Sequence, residues 1–190
     1  MLYYMEVFTM KKAVIFLADG FEEIEALTVV DVLRRGNIDV KTVSIMSSLH
    51  VTGAHDIKVI ADMLFDDEYI ETADMVILPG GGVGTENLRN SEEVIGTVQN
   101  FYSNGKYVAA ICAAPSVLGL MGILDGLTAV CYPGFELKLV GATIGKDNVV
   151  IDNNIITSKG PGTASEFALT LLSLLADVSV ADTVKKGMLL

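Results

Sequence analysis

Cys112 occupies the position in this sequence that could most directly support covalent chemistry. It follows an apolar run, residues 107–111, that lacks polar alternation and therefore predicts a parallel strand buried on both faces. The segment 113–124 predicts a helix with Pro115 in its first turn, where a missing N–H costs nothing. Cys112 would then lie at a sharp strand-to-helix turn, which is the geometry of a nucleophile elbow. The free N–H groups at the start of that helix favour a thiolate and could also hold a developing oxyanion.

Two interpretations of Cys112 stay open on placement alone. It could be a reactive thiol, or it could be a small buried hydrophobic residue, as free cysteines often are. The second cysteine, Cys131, falls inside a predicted strand at 128–133 and is interpreted as structural.

Glu25 is the second candidate for chemistry. On a helix predicted over 22–35, Glu25 aligns with Val29 and Val32 at the edge of the apolar face, and neither i+3 nor i+4 supplies a cation. A half-buried carboxylate without a partner tends to take up its proton and become a hydrogen-bond donor, which would favour a neighbouring thiolate. The alternative is an acidic first turn, which accounts for Glu22 and Glu23 better than for Glu25.

Strands and helices that alternate along the chain must position these residues. The pattern predicts strands at 13–18, 39–45, 73–82, 107–111 and 128–133, hairpins at 50–60 and 148–160, and helices at 22–35, 91–104, 113–124, 163–176 and from Val180. This order is typical of a doubly wound α/β sandwich with a mainly parallel sheet and helices on both faces. Ligands bind such folds at the carboxyl ends of the strands, where Asp19-Gly20, the segment 79–82 and Cys112 all fall. We predict a single domain at 11–190 after a short extension at 1–10.

Composition and net charge limit the kinds of binding partner and the cellular compartment that we expect for this protein. The chain has 190 residues, a net charge of -11 and two cysteines. The negative field disfavours nucleic acid and anionic membranes as partners, and two cysteines make no disulfide framework. The first twelve residues have the wrong layout for a signal peptide and are too short to span a bilayer, so we expect a cytoplasmic protein. Their apolar side chains favour a homodimer.

Four stretches of the sequence resemble, in their order along the chain, the DJ-one/ThiJ/PfpI superfamily, and above all its branch of the Parkinsonism-associated protein deglycase. These stretches are LADGFEEIEALTVVDVLRR, VILPGG, AAICAAPSVL and TSKGPGTASEFAL. The resemblance implies a flavodoxin-like fold, usually a homodimer, with Cys112 as nucleophile and Glu25 as its protonated partner. It also implies that the N–H groups of Gly81 and Ala113 surround the substrate oxygen, with Gly80 and Tyr132 as further substrate-binding candidates. Activities described for such proteins are glutathione-independent glyoxalase action, deglycation of proteins and nucleotides, peroxide sensing and chaperoning.

Departures from the family pattern limit the mechanism. The intracellular-protease branch has a histidine where this chain has Ala113, so a Cys-His protease triad is not assembled locally. The deglycase branch can carry a histidine where this chain has Tyr132, and an arginine where it has His55. Tyr132 could donate a hydrogen bond but is a poor base near neutral pH, which leaves Glu25 or water to move protons. We interpret His55 as a polar hairpin residue.

Other sequence signals argue against cofactors. The glycine-rich segment after residue 78 lacks both the P-loop ending and the dinucleotide-binding spacing, and no cluster has zinc-site spacing. Flavin binding is suggested by the fold alone, which does not establish it. We therefore predict a cofactor-free and metal-free cysteine enzyme that acts on small reactive aldehydes or on glycated proteins and nucleotides. The alternative is a redox-sensing chaperone with little turnover, in which Cys112 is oxidised.

Overall fold

The structure is a computed structural model that describes residues 10–190. Its strands are β1 (Lys12–Leu17), β2 (Asp39–Ser44), β3 (His50–Thr52), β4 (Lys58–Ile60), β5 (Met63–Leu64), β6 (Met75–Leu78), β7 (Tyr107–Ile111), β8 (Thr128–Ala129), β9 (Thr143–Ile144), β10 (Val149–Asp152) and β11 (Ile155–Ser158). Its α-helices are α1 (Glu23–Arg35), α2 (Asp67–Glu71), α3 (Gly82–Asn90), α4 (Glu92–Ser103), α5 (Pro115–Leu120), α6 (Ala164–Leu175) and α7 (Val178–Gly187). Residues 1–9, which carry most of the predicted extension and its apolar side chains, lie outside the described residues.

A seven-stranded sheet in the order β10-β11-β7-β6-β1-β2-β5 runs through the centre of the molecule. Every neighbouring pair is parallel except the hairpin β10–β11. Alternate residues of β1 face two different cores: Ala13 and Ile15 pack on the side of α1 and α6, whereas Val14 and Phe16 pack on the side of α4 and α5. The predicted doubly wound, mainly parallel fold is confirmed, and the continuous apolar runs of the central strands follow from burial on both faces.

Helix α1 begins and ends close to the predicted bounds. Glu22 is its N-cap and accepts a hydrogen bond of 2.7 Å from the backbone N–H of Glu25, while Gly36 is its C-cap. The predicted hairpins also form, since β3 pairs with β4 and β10 pairs with β11. Within residues 10–190, no helix combines the length and apolar character needed to cross a bilayer.

Two sequence predictions about local structure are wrong. The predicted strand at 73–82 is confined to β6 (Met75–Leu78), and α3 starts at Gly82, directly after Gly81 turns the chain with a φ of 90°. The predicted strand at 128–133 is confined to β8, which pairs with β9 outside the large sheet. Cys131 lies beyond that strand, although it is buried, as a structural cysteine should be.

Candidate active site

Cys112 lies in a strained turn between β7 and α5. Its φ is 66°, a left-handed conformation that costs a residue with a side chain on the order of 1–3 kcal/mol and persists only where its surroundings enforce it. Two backbone hydrogen bonds do so: the N–H of Cys112 donates to the carbonyl of Ser158 at 2.9 Å, and its carbonyl accepts from the N–H of Tyr132 at 2.8 Å. The structure therefore places Cys112 at the sharp turn that the sequence predicted.

Glu25 projects from the first turn of α1 to the same place. Its side chain is completely buried, rather than half-buried at the edge of the apolar face as the sequence predicted. Oε2 accepts a hydrogen bond of 2.8 Å from the N–H of Gly80, and the carboxyl group contacts the thiol of Cys112. Oε1 accepts no hydrogen bond from any residue in the described part of the chain. A buried oxygen of this kind is available to a proton or to a bound molecule.

Gly80 has no room for a side chain. A Cβ atom built there would lie 2.5 Å from Cβ of Cys112, 2.6 Å from Oε2 of Glu25 and 3.0 Å from Sγ of Cys112. Its carbonyl accepts a hydrogen bond of 3.0 Å from the N–H of Glu22, which ties this glycine segment to the start of α1. The absent side chain allows the thiol and the carboxyl group to come together.

Backbone N–H groups surround the sulfur. Those of Gly81 and Ala113 form hydrogen bonds with Cys112 and lower the pKa of its thiol. Burial raises that pKa more strongly, and the charge of Glu25 and the hydrogen bond to its carboxyl group raise it further, so that the pKa of Cys112 is about 12. The sequence predicted a lowered pKa for this thiol, which is the opposite direction. The difference arises because Cys112 is only 9% exposed and stands beside an acidic group.

The pKa of the Glu25 carboxyl group is raised, as the sequence predicted. Burial raises its pKa to about 7, the charge of Glu22 adds to this, and the contacts with Cys112 and Gly80 oppose it. Glu25 is therefore present in both protonated and charged forms near neutral pH. A group of this kind can both give and accept protons there.

Tyr132 forms part of the rim of the site. Its ring is half-exposed, and a Cβ atom on Gly160 would lie 3.1 Å from Cδ2 of Tyr132 and 4.0 Å from Oε1 of Glu25. The ring of Tyr132 and Oε1 of Glu25 therefore both lie next to the backbone of Gly160. This places Tyr132 where it could contact a molecule that approaches Glu25.

His55 is more than a polar hairpin residue. The backbone N–H of His55 donates to Oε1 of Glu23 at 2.8 Å, and the ring Nδ1 of His55 lies 2.8 Å from Oε2 of the same buried carboxylate. This pair raises the pKa of His55. This contact has no local signal in the sequence because 32 residues separate the partners. The other histidine, His50, is exposed on β3.

Comparisons with known proteins identify the family and the fold of this chain. The sequence profile of the DJ-1/PfpI family matches residues 11–174. Protein DJ-1 homolog A of Arabidopsis thaliana is 41% identical over 183 residues, and this chain spans 47% of its length. The match covers 95% of this chain. Glutathione-independent glyoxalase DJR-1.2 of Caenorhabditis elegans is 33% identical over 183 residues, which cover 95% of this chain and 97% of that protein. The structure of oxidized Toxoplasma gondii DJ-1 has a TM-score of 0.90 and 35% identity, covering 94% and 98% of the two chains.

Proposed function

This chain belongs to the DJ-1/PfpI family, and we propose that it is a cysteine-dependent enzyme that acts on reactive carbonyl compounds, as a glutathione-independent glyoxalase or as a deglycase of proteins and nucleotides. The main observation that supports this proposal is the contact between the Cys112 thiol and the buried Glu25 carboxyl group. It joins a nucleophile to a group that exchanges protons near neutral pH. The name of the Caenorhabditis elegans relative supports the choice of a carbonyl substrate.

The first step joins the sulfur to the substrate. The thiol of Cys112 gives its proton to the charged form of Glu25 as the sulfur attacks the aldehyde carbon of a 2-oxoaldehyde such as methylglyoxal, and the electron pair of the C=O double bond moves to the oxygen. That oxygen takes the proton back from Glu25, which gives a hemithioacetal and leaves Glu25 charged. The N–H groups of Gly81 and Ala113 already lie at the sulfur, so they are within reach of an oxygen on the carbon bonded to it.

The second step moves a proton between two carbons. Glu25 removes the proton from the hemithioacetal carbon while the adjacent ketone oxygen takes a proton from water, which gives an enediol. Glu25 then returns its proton to the carbon of the former ketone while the hemithioacetal hydroxyl loses its proton to water. One carbon is oxidised and its neighbour is reduced, so the isomerisation to a thioester needs no external oxidant. Water then cleaves the C–S bond of the thioester, which releases a 2-hydroxy acid, lactate in the case of methylglyoxal, and restores the thiol.

A redox-responsive protein with little turnover is the second candidate function. The observation that favours it is the related Toxoplasma gondii structure, which is described as oxidized. In this role a peroxide would transfer an oxygen atom to the sulfur of Cys112 and would itself be reduced, giving a sulfenate and then a sulfinate. The amides that contact the sulfur would also stabilise the negative charge of those products.

Steady-state production of lactate from methylglyoxal by the purified protein separates the two functions. We expect turnover in the parent protein, its loss in Cys112→Ser, and its retention in the matched variant Cys131→Ser, since Cys131 packs in the core on the opposite side of the sheet. A parent rate no higher than that of Cys112→Ser would overturn the enzyme proposal.

We also propose that the protein is a homodimer in the cytoplasm. Exposed apolar side chains on α1 and on the β3–β4 hairpin support an interface, namely Ile24, Leu27, Ile57 and Ile60. Both cysteines are free, which fits a reducing compartment.

A further inference from the structure

The hydroxyl group of Thr163 lies in the turn between β11 and α6. Its Oγ1 is 2.7 Å from Oγ of Ser158, accepts a hydrogen bond of 3.1 Å from the N–H of Gly160, and lies 2.9 Å from the carbonyl oxygen of that glycine. We propose that Thr163 is a positioning residue, which holds this turn against Cys112 and Glu25. The inference rests on the proposed function in that it takes Cys112 as the reactive group.

The turn depends on side-chain hydrogen bonds because the strand ends at its first residue. β11 ends at Ser158, whose hydroxyl group also lies 2.9 Å from the carbonyl oxygen of Asn148. Two hydroxyl oxygens approach to 2.7 Å only through a shared proton, so one of Ser158 and Thr163 donates to the other. The pair therefore ties the end of β11 to the residue that precedes α6.

The first residue of the turn is bonded directly to the nucleophile. The carbonyl of Ser158 accepts the hydrogen bond of 2.9 Å from the N–H of Cys112, one of the two bonds that enforce its left-handed conformation. Ser158 is completely buried and pairs in register with Ile111, the residue before Cys112. A shift of Ser158 would therefore reach Cys112 through the backbone, without an intervening side chain.

The third residue of the turn, Gly160, reaches the other reactive group. A Cβ atom built on this glycine would lie 3.1 Å from Cδ2 of Tyr132 and 4.0 Å from Oε1 of Glu25. Gly160 is buried, and without the hydroxyl group of Thr163 its N–H would lose this acceptor, which is costly for a buried donor. Thr163 therefore fixes the glycine that lies beside the carboxyl group.

Thr163→Val tests the proposal, because valine has a similar shape but no hydroxyl group. The decisive measurement is the rate at which iodoacetamide alkylates Cys112 at several pH values, in a Cys131→Ala background. We expect a rate roughly tenfold higher than in the background protein near pH 8, since a loosened turn admits water and lowers the pKa that burial raises. Thr163→Ser keeps the hydroxyl group and should react like the background protein.

A matched control separates positioning from a general loss of stability. The hydroxyl group of Thr170 donates to the carbonyl of Glu166 at 2.8 Å, within α6. Thr170→Val should leave the alkylation rate unchanged, whatever either substitution does to the Tm measured by circular dichroism. Equal alkylation rates in Thr163→Val and Thr170→Val would overturn the proposal. Equal rates in Thr163→Val and Thr163→Ser would overturn it as well.

Turnover of methylglyoxal is measured in the same proteins. We expect kcat to fall several-fold in Thr163→Val, because Cys112 and Glu25 are no longer held in one arrangement, and to be retained in Thr163→Ser and Thr170→Val. A background protein without turnover would overturn the proposed function, whereas the alkylation rates would still decide the role of Thr163.

Discussion

The backbone N–H of Gly80 donates a hydrogen bond of 2.8 Å to Oε2 of Glu25, so the glycine segment after β6 fixes the carboxyl group that contacts Cys112. The same glycine leaves the space in which the sulfur and the carboxyl oxygen meet. The site therefore depends on a backbone position as much as on its two reactive side chains.

Replacing Gly80 by alanine should disrupt the site. The added Cβ would lie within 3.0 Å of both Cys112 and Glu25, so we expect loss of most methylglyoxal turnover and a fall of about 1–3 kcal/mol in the free energy of unfolding. Gly82→Ala is the matched control, since a Cβ there meets nothing within 4 Å and Gly82 begins α3. Urea unfolding and lactate formation measure the two effects. Equal activity in the two variants would contradict the role given to Gly80.

Replacing Glu25 by glutamine should lower the pKa of Cys112. The charge of Glu25 raises that pKa, and glutamine removes the charge while keeping an N–H donor. We expect a fall of roughly one unit, equivalent to about 1.4 kcal/mol, and a smaller fall in Glu25→Leu, which donates no hydrogen bond. Absorbance of the thiolate at 240 nm against pH, in a Cys131→Ala background, gives the pKa. A rise in Glu25→Leu with little change in Glu25→Gln would show that Glu25 acts in the parent only as a neutral donor, the role that the sequence alone favours.

The free energy of unfolding should fall between about pH 5 and pH 7 because of Glu25. Its pKa is about 7 in the folded protein against 4.5 for an unperturbed glutamate side chain. In that interval the folded state holds a proton that the unfolded state has lost, so stability decreases as the pH rises. The full effect is about 3 kcal/mol. We expect Glu25→Gln to lose less stability than the parent between pH 5 and pH 8 in urea titrations, and parallel curves for the two proteins would contradict this.

Replacing Gly160 by alanine should affect substrate binding more than the chemical steps. The added Cβ would press on the ring of Tyr132 at 3.1 Å, and the half-exposed ring can move away. We expect a several-fold rise in KM for methylglyoxal with a smaller change in kcat. Gly162→Ala serves as the control because a Cβ there has nothing within 4 Å. A change in kcat alone would show that Tyr132 does not line the substrate site.

Light scattering should show a homodimer at micromolar protein concentration. Ile60 is 69% exposed on the β3–β4 hairpin, so Ile60→Glu should shift the protein toward monomer if the proposed face is the interface. Leu137, which is 97% exposed outside that face, provides the control variant Leu137→Glu. A monomeric parent protein would contradict the proposed dimer.

The sequence predicted those features of this molecule that depend on the pattern of neighbouring residues along the chain. The buried runs and the start of a helix at Pro115 identified the turn at Cys112, and helical spacing identified Glu25. Contacts between distant segments could not be predicted in this way, since 55 residues separate Gly80 from Glu25. Helix α3 was missed because glycines, which usually indicate a loop, occupy its first and third positions. The raised pKa of Cys112 depends on burial, which becomes visible only in three dimensions.

The two hydrogen bonds that hold Cys112 in its left-handed turn come from residues made later in synthesis. The partners, Tyr132 and Ser158, follow Cys112 by 20 and 46 residues. A nascent chain that ends before Ser158 therefore contains the cysteine and Glu25 but lacks one of the contacts that enforce the strained conformation. We expect the thiol to behave as an ordinary cysteine until β11, which contains Ser158, has left the ribosome and packed against β7. The raised pKa of the Cys112 thiol would then develop only after that pairing.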